Sequence, residues 1–213
     1  MIGDDRLSGG EQPAIRTRAR LAAEEAQREL IANYTCRVVA REGIEGASFR
    51  RIAEELGCTT GLITHYFPTK EDLLIAALKM GIDALAAEVD NRSDPATTLD
   101  EWIDNCVDFL PTDETRLQCW RVNITFQAAA LTNERLAEAY YSSASRYLPP
   151  LRDLVETALG PKRRPEHVDE VVDGLWAIVD GLGVSATLNP TTYTPERVRE
   201  MLRACCRGLL ALH

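Results

Sequence analysis

The sequence lacks the segments that would place a chain in a membrane or outside the cell. None of its 213 residues belongs to a run near the roughly 18 consecutive apolar residues that a membrane-spanning helix needs. Residues 1–5 are acidic and are not followed by the apolar stretch of a secretory signal. We therefore expect a cytoplasmic protein with no membrane partner.

Markers of catalysis and metal binding are also missing. The sequence has no glycine-rich phosphate loop and no nucleophile motif, its six cysteines form no C-x-x-C pair, and its three histidines are remote from one another. We expect neither an enzyme nor a cofactor or metal site. Free, partly buried thiols are the favoured interpretation of the cysteines. A redox pair at Cys205–Cys206 is less favoured, because adjacent helical residues point about 100° apart.

Negative charge is unevenly distributed along the chain. The net charge of −9 argues at first against a nucleic-acid partner. However, residues 1–70 carry ten basic and ten acidic residues, whereas residues 71–213 carry fourteen basic and twenty-three acidic ones. The excess acid thus belongs to the C-terminal two-thirds, and a neutral N-terminal head remains compatible with DNA.

Helical periodicity runs through nearly the whole sequence, without the alternation or turn pairs of β-hairpins. We predict an all-α fold with a disordered arm at 1–17, a three-helix DNA-binding head at 18–70, and a larger ligand-binding and dimerisation body at 71–213. Glycine and proline breaks bound the predicted helices at 18–42, 48–56, 60–66, 70–90, 97–110, 114–131, 133–158, 166–188 and 195–212. Pro149–Pro150 should kink or divide helix 133–158.

Residues 48–70 have the pattern of a helix-turn-helix. Ser48 and Thr59 are placed to cap two short helices, and Gly57 between them tolerates the left-handed conformation of a tight turn. Short or flat polar side chains on the second helix suit contact with base edges, and flanking cations suit phosphates. The candidate DNA-binding residues are Ser48, Arg50, Arg51, Thr59, Thr60, Gly61, Thr64, His65, Tyr66 and Lys70. An ordinary helical corner with a polar exterior is the alternative.

The run from Ile52 to Leu74 resembles the DNA-binding signature of the TetR family of repressors, most strongly within residues 30–78. In that family an aromatic pair follows the recognition helix and a lysine opens the next helix, as Tyr66-Phe67 and Lys70 do here. The resemblance implies DNA contacts from Thr59, Thr60, Thr64, His65 and Tyr66, with Lys70 on a phosphate. The commoner arrangement is Tyr-x-His-Phe, so either His65 or Tyr66 is the base reader.

A second resemblance lies in the tail. Asp173-Gly174-Leu175-Trp176, Asn189-Pro190 and Thr194-Pro195-Glu196 resemble the C-terminal half of the choline-sensing BetI group, without establishing choline as the ligand. The two resemblances imply a homodimeric repressor that binds a pseudo-palindromic operator and is released by a small-molecule inducer. An enzyme and a helical interaction adaptor with a vestigial head are the competing classes.

The last two predicted helices are apolar on more than one side, and the resemblance places a dimer there. A monomer core is the alternative. Gly174, Gly181 and Gly183 would weaken a helix, so their presence favours close approach of another backbone. The candidate dimerisation residues are Val171, Leu175, Ile178, Val179, Leu182, Val198, Leu202 and Leu209.

A ligand pocket is expected among the helices of residues 97–188. Its candidate residues are Trp102, Trp120, Asn123, Phe126, Gln127, Tyr140, Tyr147 and Trp176, each of which core packing would also explain. Aromatic rings near a carboxylate, such as Asp104 or Asp108, would suit a cationic ligand.

Overall fold

A computed structural model describes residues 11–90, 96–161 and 163–211, with no description of the side chains of 11–17 and 84–90. All regular structure in these residues is helical, which confirms the all-α prediction. The helices are α1 (Glu11–Gly46), α2 (Phe49–Leu56), α3 (Thr60–Tyr66), α4 (Lys70–Asp90), α5 (Leu99–Phe109), α6 (Glu114–Ala130), α7 (Glu134–Ala144), α8 (Leu148–Leu159), α9 (Pro165–Leu188) and α10 (Pro195–Ala211). A 3₁₀ turn at Ser145–Tyr147 joins α7 to α8.

The prolines divide the predicted helix 133–158, as its sequence indicated. α7 ends at Ala144, and Pro149 and Pro150 lie in the first turn of α8. A proline is tolerated there because the first N–H groups of a helix have no intrahelical acceptor. The two prolines therefore fit the start of α8 without removing an intrahelical hydrogen bond.

The first helix is longer than predicted. α1 begins at Glu11, so residues 11–17, which we expected to be disordered, are helical, and residues 1–10 lie outside the described residues. At Gly43 the backbone leaves the helical conformation with φ 72° and ψ 177°, close to the predicted helix end. A positive φ at this position favours glycine. One further turn then leads to Gly46.

Two apolar cores hold the helices together. One lies in the body and joins α5, α8, α9 and α10 around Trp120 of α6. The other contains Ile63 and Phe67 of the helix-turn-helix together with Phe126 of α6 and Leu136 of α7. The head and the body therefore share a core, and the predicted boundary at 70/71 falls inside it.

Helix α9 forms the centre of the body. Among the described residues it is the one helix long and apolar enough to cross a membrane. Its buried residues, such as Leu175 and Val179, belong to the body core, and this packing explains part of its apolar composition. Gly183 lies against the ring of Trp120, which is only 2.0 Å from where a Cβ would be, so a larger residue cannot fit without displacing the indole.

Candidate nucleic-acid interface and ligand cavity

Local hydrogen bonds build the helix-turn-helix. The Ser48 hydroxyl accepts from the Arg51 N–H at 3.2 Å, and the Thr59 hydroxyl accepts from the Leu62 N–H at 3.3 Å. Gly57 has φ 66° and ψ 33°, the left-handed conformation that a residue with a Cβ rarely adopts. These contacts confirm the predicted caps and turn.

Helix α3 has one buried side and one polar side. Ile63 and the following Phe67 are fully buried, whereas Thr60, Gly61, Thr64 and His65 are exposed. A Cβ at Gly61 would meet only the Thr59 hydroxyl oxygen, at 3.7 Å, so the backbone there is open to an approaching surface.

The two alternative base readers differ in exposure. His65 is exposed, whereas Tyr66 is half-buried and packs against the core shared by head and body. Their rings meet edge to face with centroids 5.0 Å apart. The side chain more open to a partner is therefore that of His65.

The neighbouring residues Arg50 and Arg51 have different environments. Arg50 is 85% exposed, and its ion pair with Glu54 spans 3.7 Å. Arg51 donates to Glu42 of α1 at 2.7 Å and pairs with Glu55 at 2.9 Å. The Arg51 hydrogen bond holds the pKa of the Glu42 carboxyl below its usual value. Arg51 thus joins α1 to α2, and its role as a countercharge for DNA stays a prediction.

Residues at the junction of α6 and α7 bind the first turn of α4 through a hydrogen bond and ion pairs. Asn133 donates to Glu71 at 2.6 Å, and Arg135 pairs with Glu71 and, at 2.8 Å, with Asp72. These bonds hold the pKa of both carboxyls below the usual values, chiefly through Asn133 at Glu71 and through Arg135 at Asp72. We call these four residues the corner clamp. Its two carboxylates directly follow Lys70, the first residue of α4.

A cavity of about 40 Å³ lies in the body, between helices α4, α5, α6, α7 and α9. Four predicted pocket residues line it, and five lining residues were not predicted. The predicted ones are Asn123, Tyr140, Tyr147 and Trp176, and the others are Ile82, Phe109, Ala144, Val179 and Asp180. Pockets for drug-sized ligands measure roughly 300 Å³ or more, so such a ligand must displace side chains to enter.

Asp180 supplies a carboxylate to the cavity wall. Burial raises the pKa of its carboxyl to about 6. Tyr140, whose hydroxyl accepts from Gln127, also has a raised pKa, through burial first and the charge of Asp180 second. Asp180 was detectable in the sequence because it lies one helical turn after Trp176, on the same face of α9.

The acids named in the sequence analysis lie elsewhere. Asp104 pairs with Arg199 of α10 at 2.7 Å, and Asp108 is exposed. Neither residue lines the cavity.

Comparison with known families decides what kind of protein carries these sites. Residues 31–77 match the description "Bacterial regulatory proteins, tetR family", and residues 101–211 match "BetI-type transcriptional repressor, C-terminal". The chain belongs to the TetR family. This TetR-family protein is a transcriptional regulator with a DNA-binding helix-turn-helix and a BetI-type tail, not an enzyme, as both resemblances predicted.

Relatives of this TetR-family regulator align over most of its length. It is 26% identical over 181 residues to the regulator PksA of Bacillus subtilis (strain 168), covering 84% of this chain and 87% of PksA. The crystal structure of a transcriptional regulator from Rhodococcus sp. Rha1 superposes with a TM-score of 0.71 at 28% sequence identity. The match covers 86% of this chain and 95% of that regulator. The multidrug binding protein EbrR complexed with ethidium has a TM-score of 0.62 at 26% identity, covering 84% and 97%.

The remaining predicted pocket residues belong to the packing around the cavity. Trp120 is fully buried and its indole N–H donates to the Phe109 carbonyl at 2.8 Å. Phe126 lies in the core shared by head and body, and Trp102 packs against the body core. Gln127 reaches the cavity only through its hydrogen bond to Tyr140. The alternative of ordinary core packing thus describes the two tryptophans and Phe126.

Most of the predicted dimerisation residues lie inside a single chain. Six are buried in the body core, so their side chains serve the packing of one chain, and their role in a dimer stays a prediction: Val171, Leu175, Val179, Leu182, Val198 and Leu202. Ile178 and Leu209 are partly buried against that core. The sequence could not separate these faces, because the inner and outer sides of α9 are both apolar.

The outer side of α9 presents a stripe of small and apolar residues at helical spacing. Ala177, Gly181 and Leu188 are exposed, Leu188 by 79%, and Val184 is half-buried between them. A Cβ at Gly181 would meet nothing within 4 Å, whereas one at Gly174 would lie 3.0 Å from Leu209 of α10. Gly174 therefore serves the packing of α9 on α10, and Gly181 leaves the outer surface open.

Proposed function

We propose that this protein is a cytoplasmic, homodimeric repressor that binds a pseudo-palindromic operator and is released by a small-molecule inducer. One observation carries the proposal: α4 bears Lys70 beside the recognition helix and Ile82 in the cavity wall. Ile82 lies twelve residues after Lys70, which corresponds to about 18 Å of helix. A ligand that widens the cavity must therefore act on the helix that carries the head.

For the DNA contacts, we propose that the exposed side of α3 and its N-cap contact bases and phosphates. The residues are Thr59, Thr60, Thr64 and His65. Their exposure and the open backbone at Gly61 support this assignment. Arg50 and Lys70 flank the same side as phosphate contacts. Ser48 positions α2, and Tyr66 supports His65.

For the dimer, the outer stripe of α9 and the neighbouring exposed Ala204 and Gly208 of α10 form the contact surface. Small residues allow the helices of two chains to approach closely. The two recognition helices of a dimer must lie about 34–36 Å apart to enter successive major grooves, which requires a pseudo-palindromic operator.

The change Gly181→Arg tests this contact surface and should give a monomer in sedimentation experiments. The control Gln118→Ala, at an exposed polar position of α6, should leave the dimer intact.

For the inducer, we propose a small organic cation. The cavity wall combines the Asp180 carboxylate with the rings of Phe109, Tyr140, Tyr147 and Trp176. A cation is attracted both to a carboxylate and to the faces of aromatic rings, most strongly where water is excluded. The similar protein EbrR was solved in complex with ethidium, an aromatic cation, which supports this ligand class.

Two sets of ion pairs connect the cavity to α4. Arg146, next to the cavity residue Tyr147, pairs with Asp83 of α4. The corner clamp holds the other end of α4 through α7, the helix that carries Tyr140. A ligand that moves these rings would shift α4 and change the spacing of the two heads. Release then follows if the ligand binds the altered spacing more tightly than the DNA-bound one.

The test is a gel-shift titration of the intergenic DNA beside the protein's own gene, repeated with choline and with its neutral isostere 3,3-dimethylbutan-1-ol. We expect specific, salt-dependent binding, release by the cation at lower concentration than by the isostere, and an Asp180→Asn variant that binds DNA but responds poorly to the cation. Absence of sequence-specific binding would overturn the repressor proposal. Equal release by both compounds would overturn the cationic inducer.

A further inference from the structure

Helix α1 consists of two unlike halves. From residue 18 to 30 no described side chain is buried, whereas Ile31, Thr35, Val38 and Val39 are all buried. Most helical stability in proteins comes from the packing of one face, so a helical segment with no buried face needs another role. We call residues 11–30 the arm.

Contacts at the base of the arm define its direction. Arg28 donates to the Tyr66 carbonyl at 2.6 Å, and its guanidinium lies 4.6 Å from the centre of the Phe67 ring, just before α4 begins. Further along α1, the Cys36 thiol donates to the Ala77 carbonyl at 2.8 Å. α1 and α4 therefore run in the same direction, from the recognition helix towards the body. The arm continues the opposite way, past the end of α3.

The reach of the arm follows from helix geometry. Arg18 lies ten residues before Arg28, which corresponds to about 15 Å of helix at 1.5 Å per residue. Along DNA this length corresponds to roughly four base pairs at 3.4 Å each. The arm is long enough to follow the duplex beyond the base pairs that α3 contacts.

The arm carries charges of both signs. Arg18 and Arg20 are exposed near its middle, and Glu25 and Glu29 lie nearer the head. Arg20 pairs with Glu24 over 3.5 Å with both side chains largely exposed. Exposed pairs of this kind contribute little, so Arg20 is free to exchange its partner for a phosphate.

We propose that the arm is a second DNA-binding element, which places Arg18 and Arg20 on backbone phosphates flanking the half-site contacted by α3. This inference rests on the proposed operator binding and adds to it. The ligand is the phosphate backbone of double-stranded DNA. Phosphate contacts carry no base information, so the arm should extend the footprint and the affinity without changing the recognised sequence.

The experiment compares two duplexes that carry the same site, selected by the full chain from a random DNA pool. One duplex ends at the site, and the other has ten further base pairs on each side. The chain should bind the long duplex at least tenfold more tightly, and an Arg18→Ala/Arg20→Ala variant should lose this difference. Its salt slope should fall by about two units per half-site, because each lost phosphate contact removes about 0.9.

Arg37→Ala is the matched control, because Arg37 is an exposed arginine on the packed half of α1, where it lies against Tyr34. It should keep the preference for the long duplex and the flanking protection from hydroxyl radicals. Circular dichroism confirms that each variant is folded. An unchanged salt slope and footprint in the double variant would overturn the arm's role while leaving the repressor intact. Failure of the unaltered chain to select any DNA sequence would overturn both.

Discussion

The helix-turn-helix and the ligand cavity are built in different ways. Between residues 48 and 70, each functional feature depends on neighbours a few positions away. The hydroxyls of Ser48 and Thr59, for example, each accept a hydrogen bond from the backbone N–H three residues later. The cavity collects side chains from five helices, from Ile82 on α4 to Asp180 on α9. The first kind of site can be recognised from local chemistry, whereas the second exists only after the helices have packed.

The two regions nevertheless depend on each other. Phe126 and Leu136 of the body complete the core beneath the helix-turn-helix, and the corner clamp grips the helix that follows it. Changes at the junction should therefore affect both regions, whereas changes on the exposed surface of α3 or in the cavity should affect one.

The largest expected effect tests the shared core. Phe126→Ala removes a fully buried ring between α6 and the head, and should lower the free energy of unfolding by about 3–5 kcal/mol. Urea unfolding measures the change. The control Tyr141→Ala, at a position 73% exposed, should change it by about 0.5 kcal/mol or less. Similar losses in the two variants would show that head and body do not share this core.

The second prediction isolates the exposed side of α3. His65→Ala should weaken specific operator binding by about 10- to 100-fold while leaving non-specific binding unchanged, because base contacts carry the discrimination. Lys70→Ala should weaken both kinds of binding and lower the salt slope by about one unit. Fluorescence anisotropy over a range of salt concentrations distinguishes these patterns. Equal effects of both changes on specific and non-specific DNA would contradict the assigned roles.

The third prediction concerns the cavity and pH. With a pKa of about 6, Asp180 is charged above that value and neutral below it, so choline should bind about tenfold more weakly at pH 5 than at pH 8. Calorimetry measures this ratio, and Asp180→Asn should bind weakly at both pH values. A pH-independent affinity of the unaltered chain would remove Asp180 from the site.

The same carboxyl also affects folding. Its pKa in the folded protein lies above the ordinary value of 3.8, so its contribution to stability is greatest in acid. That contribution is lost as the pH rises from about 4 through about 6.

The smallest expected effect tests the link between the two regions. Glu71→Gln weakens the corner clamp, whose ion pairs are exposed, so the stability should barely change. The choline concentration for half release of DNA should shift by about two- to fivefold, because the clamp joins α4 to α7. Glu134→Gln, at an exposed neighbouring position, is the control. An unshifted midpoint would show that the clamp only supports the fold.

Tertiary contacts also separated residues that look equivalent in the sequence. Arg50 and Arg51 are adjacent and equally basic, but only Arg51 lies within reach of Glu42, a residue of another helix. Leu175 and Leu188 both belong to the apolar α9, yet the first is buried in the body core and the second is exposed. No local pattern distinguishes such pairs, because their surroundings come from residues far away in the chain.

The amino-acid sequence alone determined the all-α fold, the caps at Ser48 and Thr59, the turn at Gly57 and the division at Pro149–Pro150. These features depend on backbone hydrogen bonds and dihedral angles, which a residue and its near neighbours control. Only the tertiary structure decided that Asp180 joins four aromatic rings, that Arg51 is held by Glu42, and which side of α9 faces inward. Those outcomes depend on contacts between distant segments and on the burial that packing imposes.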